Sequence, residues 1–412
     1  MKPATLGSII LLIAVPALTG LALLRAAESE STPSSVADLA AKLESGEITL
    51  THQSGPLGYL PSLLQHLDIS PASQLLAFSK TSFQAAIISP KNPRAVYFND
   101  NTSVGFVPGG DVLELISLTP KDGLFFYTLS TERTAKPLLE RRDAVCFSCH
   151  VPQSKGIPSM LTTSVFPDPT GMPLFVGRVS PPIDHRSPFE DRWGGWYVSG
   201  THGTQHHRGN AVVPKSNRPT DLETANTPNL TDLSERIDLS RYLTPASDIV
   251  ALMTLEHQTA MTNYLARLSP STSLPGDEVS TTGEIRDDLI DEVVSYMLFS
   301  AEMPIREPIE GNTMFAKEFA NRGPRDSKGR SLRDFDLKTR MFKFPLSYMI
   351  YSDAFENMRP SARDKIYRRL YDVLTAKTTS PNFAHLSLAD RQAILEIVRE
   401  TKPNLPDYWA KN

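Results

Sequence analysis

Two cysteines, Cys146 and Cys149, are the only ones in a chain of 412 residues, and they stand three positions apart. A disulfide-stapled scaffold is thereby excluded, and the fold must be held by buried apolar surface. At roughly 150 residues per domain the length suffices for two to three domains' worth of core. With 40% hydrophobic residues, disorder of the whole chain is also excluded. Proline, 33 of 412 residues, is about 8% against an average near 5%, which predicts a loop-rich surface. Lys and Arg number 42 against 46 Asp and Glu, a net charge of -4 with no block of like charge. That balance argues against a nucleic-acid partner.

Lys2 precedes an uncharged run from Leu6 to Leu24, after which Arg25, Glu28 and Glu30 appear. This order reads as an export signal, with residues 1–27 either a signal peptide or an N-terminal anchor. Pro16 and Gly20 would weaken a membrane helix, yet no clean small-x-small pair precedes the polar stretch, so cleavage near Ala22 to Ala27 and retention are both open. The expected location is the periplasm or another extracytoplasmic space. Contact with the inner membrane would come only through this segment.

A polar spacer over 28–34 is followed by Val36, Leu39 and Leu43 at helical spacing, with Gly46 as a stop. Four short runs, Ala95 to Phe98, Val104 to Val107, Val112 to Leu118 and Leu124 to Leu129, read as strands separated by turns. Their connections are too short for helical crossovers, so they predict an antiparallel meander. Leu174 to Val179 and Trp193 to Val198 read as further strands. Past about residue 235 the period lengthens. Thr244 and Pro245 suggest an N-cap and first turn for a helix running to Leu268, and Ile285 to Phe299, Ala362 to Leu374 and Leu388 to Glu400 are further helices, the last capped by Ser387. The expected class is α+β: an antiparallel β-rich region over 28–235 that carries the cysteines, and a mainly helical region over 236–412 packed on it.

Cys146-Phe147-Ser148-Cys149-His150 is a Cys-x-x-Cys-His run, the attachment signature of c-type haem. Two thiols at this spacing can form thioethers to the two vinyl groups of one porphyrin, and the adjacent imidazole is then held under the iron. A thioredoxin-like redox pair would need a βαβ setting, which is missing, and a zinc site would need two further ligands from a chain with no other cysteine. Export agrees with haem, which is attached to such proteins after translocation.

Over these five residues the sequence resembles the c-type cytochromes. The resemblance implies Cys146 and Cys149 as covalent attachments of one haem c and His150 as the proximal iron ligand. Ser79-Lys80-Thr81-Ser82-Phe83, Trp193-Gly194-Gly195-Trp196-Tyr197-Val198 and Glu256-His257-Gln258 are similar to stretches in a group of exported mono-haem bacterial proteins of similar length, a likeness that brings no established activity. A small soluble cytochrome c carries its motif near the mature N-terminus, whereas here about 120 mostly β residues come first.

The second axial position decides between carrier and catalyst. His257 lies four residues from both Met253 and Met261 on an apolar helical stripe, where a histidine is either a ligand or a satisfied core residue. His202, His206 and His207 sit in a glycine-containing stretch after the aromatic Trp193 to Val198 run, with a solvated loop as the plain alternative. His257, His202 and His207 are the distal candidates, and His257 and His202 the candidate acid/base groups. His185 is placed similarly. Met160 and Met172 are the nearest downstream methionines. Arg178, Arg186, Arg192 and Arg208 could pair haem propionates or be ordinary surface arginines. The expected function is electron transfer with a redox partner protein or a small-molecule donor or acceptor. The alternatives are a peroxidase- or oxidase-like haem oxidoreductase with an open distal site, and a haem-based sensor of diatomic ligands.

Overall fold

A computed structural model describes residues 35–119, 123–151, 157–174, 182–214, 218–224, 227, 229–270, 272, 284–378 and 380–410. The expected signal segment 1–27, the spacer and Arg178 lie outside these residues, as does most of the Leu174 to Val179 run. No helix among the described residues is long and apolar enough to cross a membrane.

The architecture is α+β, built on one antiparallel sheet. Its strands are β1 (Leu75–Ala77), β2 (Arg94–Phe98), β3 (Thr102–Phe106), β4 (Val112–Thr119), β5 (Gly123–Ser130) and β6 (Leu139–Arg141), with β7 (Phe166–Pro167) and β8 (Pro173–Leu174) forming a separate pair and β9 (Trp196–Tyr197) closing the main sheet. The order is β6-β5-β4-β3-β2-β1-β9, so the meander read from the sequence is the body of the sheet. Asn99 makes the β2–β3 turn: its Oδ1 accepts from the backbone N–H groups of Asn101 and Thr102.

Alternation along the strands supplies two apolar faces. Leu76, Ala95, Tyr97, Val104, Phe106, Leu113 and Leu115 pack against α1 (Val36–Ser45) and α2 (Leu60–His66). Leu75, Ala77, Val96, Phe98, Leu118 and Leu124 join the larger core with the C-terminal helices. Ser35 and Asp38 form a capping box on α1, and Gly46 ends it in the left-handed region at φ 76°.

α3 (Asp143–His150) follows β6. α4 (Ile249–Arg267) buries sixteen of its nineteen residues and packs against α5 (Asp287–Met297), α6 (Phe315–Asn321) and α7 (Asp353–Glu356), while α8 (Pro360–Leu374) packs on α5 and α9 (Leu388–Thr401) on α8. Its N-cap is Asp248, whose carboxylate accepts from Val250 and Ala251, and not Thr244. The intervening residues are held by tertiary contacts: Gln74 Nε2 donates to the carbonyls of Thr244 and Ala246, and Ser247 Oγ bridges Leu76 N–H and the Tyr197 carbonyl. A lone Thr-Pro signal cannot reveal such competition. Ser387 caps α9 as expected, in a box with Asp390.

The Trp193 to Val198 run is strand only at Trp196–Tyr197. Trp193 and Gly195 have φ values of 66° and 89°, and a Cβ on Gly194 would fall 2.0 Å from the Val165 carbonyl oxygen. The two glycines thus serve a tight turn pressed against residues 164–165.

Candidate cofactor-attachment site

The Cys-x-x-Cys-His run lies on α3, anchored to the sheet at its start. Arg142 N–H donates to the Phe126 carbonyl at 2.8 Å, and Asp143 Oδ1 accepts from Phe126 N–H at 3.1 Å. Positions i, i+3 and i+4 of a helix share one face, so Cys146, Cys149 and His150 line up along α3. Cys146 is half-buried, Cys149 is exposed, and the two are not joined. No residue of α3 is buried, and Val145 is 47% exposed. Among the described residues no three His, Cys, Asp or Glu side chains gather to hold one metal ion; the thiols and imidazole are arrayed along a face rather than around a point.

His150 is fixed by the chain that returns to it. Its Nδ1 lies 2.7 Å from the Ser159 carbonyl, and Ser159 sends its own N–H and hydroxyl to the His150 carbonyl, each at 3.0 Å. A carbonyl only accepts, so Nδ1 carries the proton, and in the neutral ring Nε2 carries the lone pair. Burial holds the imidazole below its ordinary pKa and so keeps it neutral. The ring leans on Phe126, centroids 4.7 Å apart.

The residues after Ser159 run along α4. Met160 exchanges two hydrogen bonds with the Asn263 amide, at 2.7 and 3.0 Å, and Thr162 Oγ1 donates to Thr259 Oγ1 at 3.0 Å. This strapping joins the α3 site to the central helix. Met160 is partly buried against the core, and Met172 is exposed on the Asp168 turn.

Beside α3 the sheet carries a polar group that sequence reasoning missed. Glu114 of β4 pairs with Arg94 at 3.3 Å and accepts from Ser82 and Gln84. Together with Asp143 and Cys149, Glu114 adds to the burial that pushes the Cys146 thiol up to about 11. Period-2 reading of β4 could have found Glu114, a lone carboxylate on the face of Ile116 and Leu118. Ser82 belongs to the Ser79–Phe83 stretch singled out above, which gives that stretch a structural role.

The distal candidates lie in other surroundings. His257 is fully buried; Nε2 lies 2.9 Å from Ser347 Oγ and Nδ1 3.0 Å from Nδ1 of His185. Among the described residues its ring neighbours are His185, Tyr296, Phe299, Phe342 and Tyr348, that of His150 is Phe126, and none is shared. His202 and His207 are buried rather than solvated, rings 4.7 Å apart against Phe189 and Trp193, while His206 is exposed. His202 Nε2 accepts from Asn229 N–H and His207 Nδ1 from Gly209 N–H. Each remaining nitrogen therefore carries the proton in the neutral ring and has no lone pair for iron. Three of the arginines are taken up in ion pairs, Arg186 with Asp184, Arg208 with Asp191, and Arg192 with Glu256 in the core.

No protein-family model, curated protein or solved structure matches this chain.

Proposed function

We propose that this protein is an exported mono-haem c-type cytochrome that transfers electrons. The observation that carries the reading is the His150 hydrogen bond: Nδ1 donates to the Ser159 carbonyl, which directs the Nε2 lone pair away from it on the helix face that also bears Cys146 and Cys149. Iron-ligating histidines are held in this way by an acceptor on the other ring nitrogen. The bare helix adds support. An eight-residue helix is not stable alone in water, and no residue of α3 is fully buried, so a flat apolar cofactor tethered at Cys146 and Cys149 would add packing to the contacts of Phe147 and His150 with Phe126.

Haem, when bound, supplies a one-electron couple. The chain's residues tether it through two thioethers, orient the proximal imidazole and strap residues 159–162 to α4. The alternative with His257 or His202 as distal acid/base receives no support from the geometry, because His257 is hydrogen-bonded at both nitrogens and His202 packs on Phe189 and His207 with its Nε2 on Asn229.

The test is co-expression with a haem-attachment system, followed by denaturing electrophoresis stained for haem and visible spectra with and without CO. The proposal expects haem that survives denaturation and a low-spin spectrum unmoved by CO. Haem lost on denaturation would refute covalent attachment. High-spin iron that binds CO would replace the carrier with the enzyme or the sensor.

A further inference from the structure

A second feature stands apart from α3. A small cleft with room for about one water molecule is lined by His185, Met253, Met303, Met341, Glu302 and Arg192, among others. Three of the eleven methionines thus meet one histidine at a single void.

His185 is almost fully buried, and among the described residues its Nε2 has no hydrogen-bond partner. Leaving a polar atom buried and unpaired costs about 1–3 kcal/mol, so the nitrogen calls for an occupant. Its other nitrogen is held: Nδ1 lies 3.0 Å from His257 Nδ1, and His257 Nε2 lies 2.9 Å from Ser347 Oγ. With His257 donating to Ser347, His185 donates from Nδ1 to His257 and keeps a lone pair at the unpartnered Nε2. That is the arrangement in which a second nitrogen orients a metal-binding imidazole. Met303 N–H donates to the His185 carbonyl at 3.0 Å, and Met341 N–H donates to Glu302 Oε1 at 2.8 Å, so the lining segments are tied to one another.

Charge selects the kind of occupant. Arg192 Nη1 pairs with Glu256 Oε1 at 2.5 Å, and its other N–H groups go to the His185 and Ser187 carbonyls. Its charge is balanced there, and the lining also holds Glu302, whose carboxyl burial pushes up to about 7 and which a neighbouring monovalent cation would hold in the charged form. Thioethers are soft, neutral donors that suit monovalent copper and are poor ligands for zinc, magnesium or calcium.

We propose that this cleft is a copper(I) site, with His185 Nε2 and the thioethers of Met253, Met303 and Met341 as its donors and Glu302 as the balancing charge. The inference does not rest on the haem reading, since none of these residues belongs to the α3 site.

The experiment loads the full chain as purified with copper(I) under anaerobic ascorbate, desalts it, and measures copper per chain and the copper X-ray absorption spectrum. Wild type is expected to retain one equivalent with sulfur and nitrogen neighbours. A Met253→Leu/Met341→Leu variant, near-isosteric and checked for folding by circular dichroism, is expected to lose that equivalent, and His185→Phe likewise. Copper bound elsewhere, at Cys146 and Cys149 for example, would persist equally in all three. Equal copper content in wild type and the folded double variant, including none in either, overturns the proposal.

Discussion

The imidazole of His150 and the carbonyl of Ser159 are 2.7 Å apart, nine residues along the chain. This contact, made by backbone and not by a side-chain partner, fixes the tautomer of the one histidine that adjoins both cysteines.

It follows that Ser159→Ala should leave haem attachment and spectrum unchanged, because the accepting carbonyl remains. Only the hydroxyl bond to the His150 carbonyl is lost, worth about 1 kcal/mol in urea unfolding. His150→Ala should instead retain covalent haem through the thiols but convert the spectrum. An S159A protein with the spectrum of H150A would show that the side chain, not the carbonyl, holds the ring.

The Arg192–Glu256 pair is the most deeply buried ion pair described, with side chains 3% and 1% exposed and Trp193 Nε1 donating to the second carboxylate oxygen at 2.9 Å. Removing one partner strands a charge in the core. Arg192→Met is expected to cost about 3–5 kcal/mol, and the Arg192→Met/Glu256→Gln double variant distinctly less than the sum of the single changes. Additive losses in a double-mutant cycle would mean that the two groups are not energetically coupled.

His207 supplies a pH dependence. Burial, and then His202 and His206, bring its pKa down to about 3. Between that value and about 6.5 the unfolded chain binds the proton and the folded chain does not, so stability falls as pH falls through this window. At pH 5 the loss attributable to His207 is about 2 kcal/mol relative to pH 7.5. His207→Gln should flatten the stability profile by that amount, read from urea midpoints at the two pH values. An unchanged slope would place the charging elsewhere.

Gly194→Ala brings a Cβ against the Val165 carbonyl, a backbone atom that cannot rotate away. The expected cost is about 2 kcal/mol or more, with a lowered melting temperature. A substitution at Gly46, where the φ is positive but nothing lies within 4 Å, should cost about 1 kcal/mol through backbone strain alone.

Local pattern carried much of the fold. The β2 to β5 strands, the stop at Gly46 and the cap at Ser387 were legible because each rests on neighbours a few residues away: alternation along a strand, a side chain reaching its own helix terminus, a residue able to take a left-handed turn. The α4 start was misplaced because Gln74, Leu76 and Tyr197, far off in sequence, claim residues 244–247.

The chemistry divides in the same way. The Cys146, Cys149 and His150 constellation is contained in five residues, and helical spacing alone sets it on one face. What lies around it was decided only in three dimensions. Partnerships across 64 to 159 residues bury Glu256 on Arg192, seat His257 against His185 and close Gln258 on the Asn99 carbonyl. Such contacts are set by where the sheet and α4 cross, and no local period records that crossing. The sequence determined that two thiols and an imidazole share one helical face; the tertiary packing decided the surroundings of the other histidines, His257 held at both nitrogens and His202 and His207 each at one.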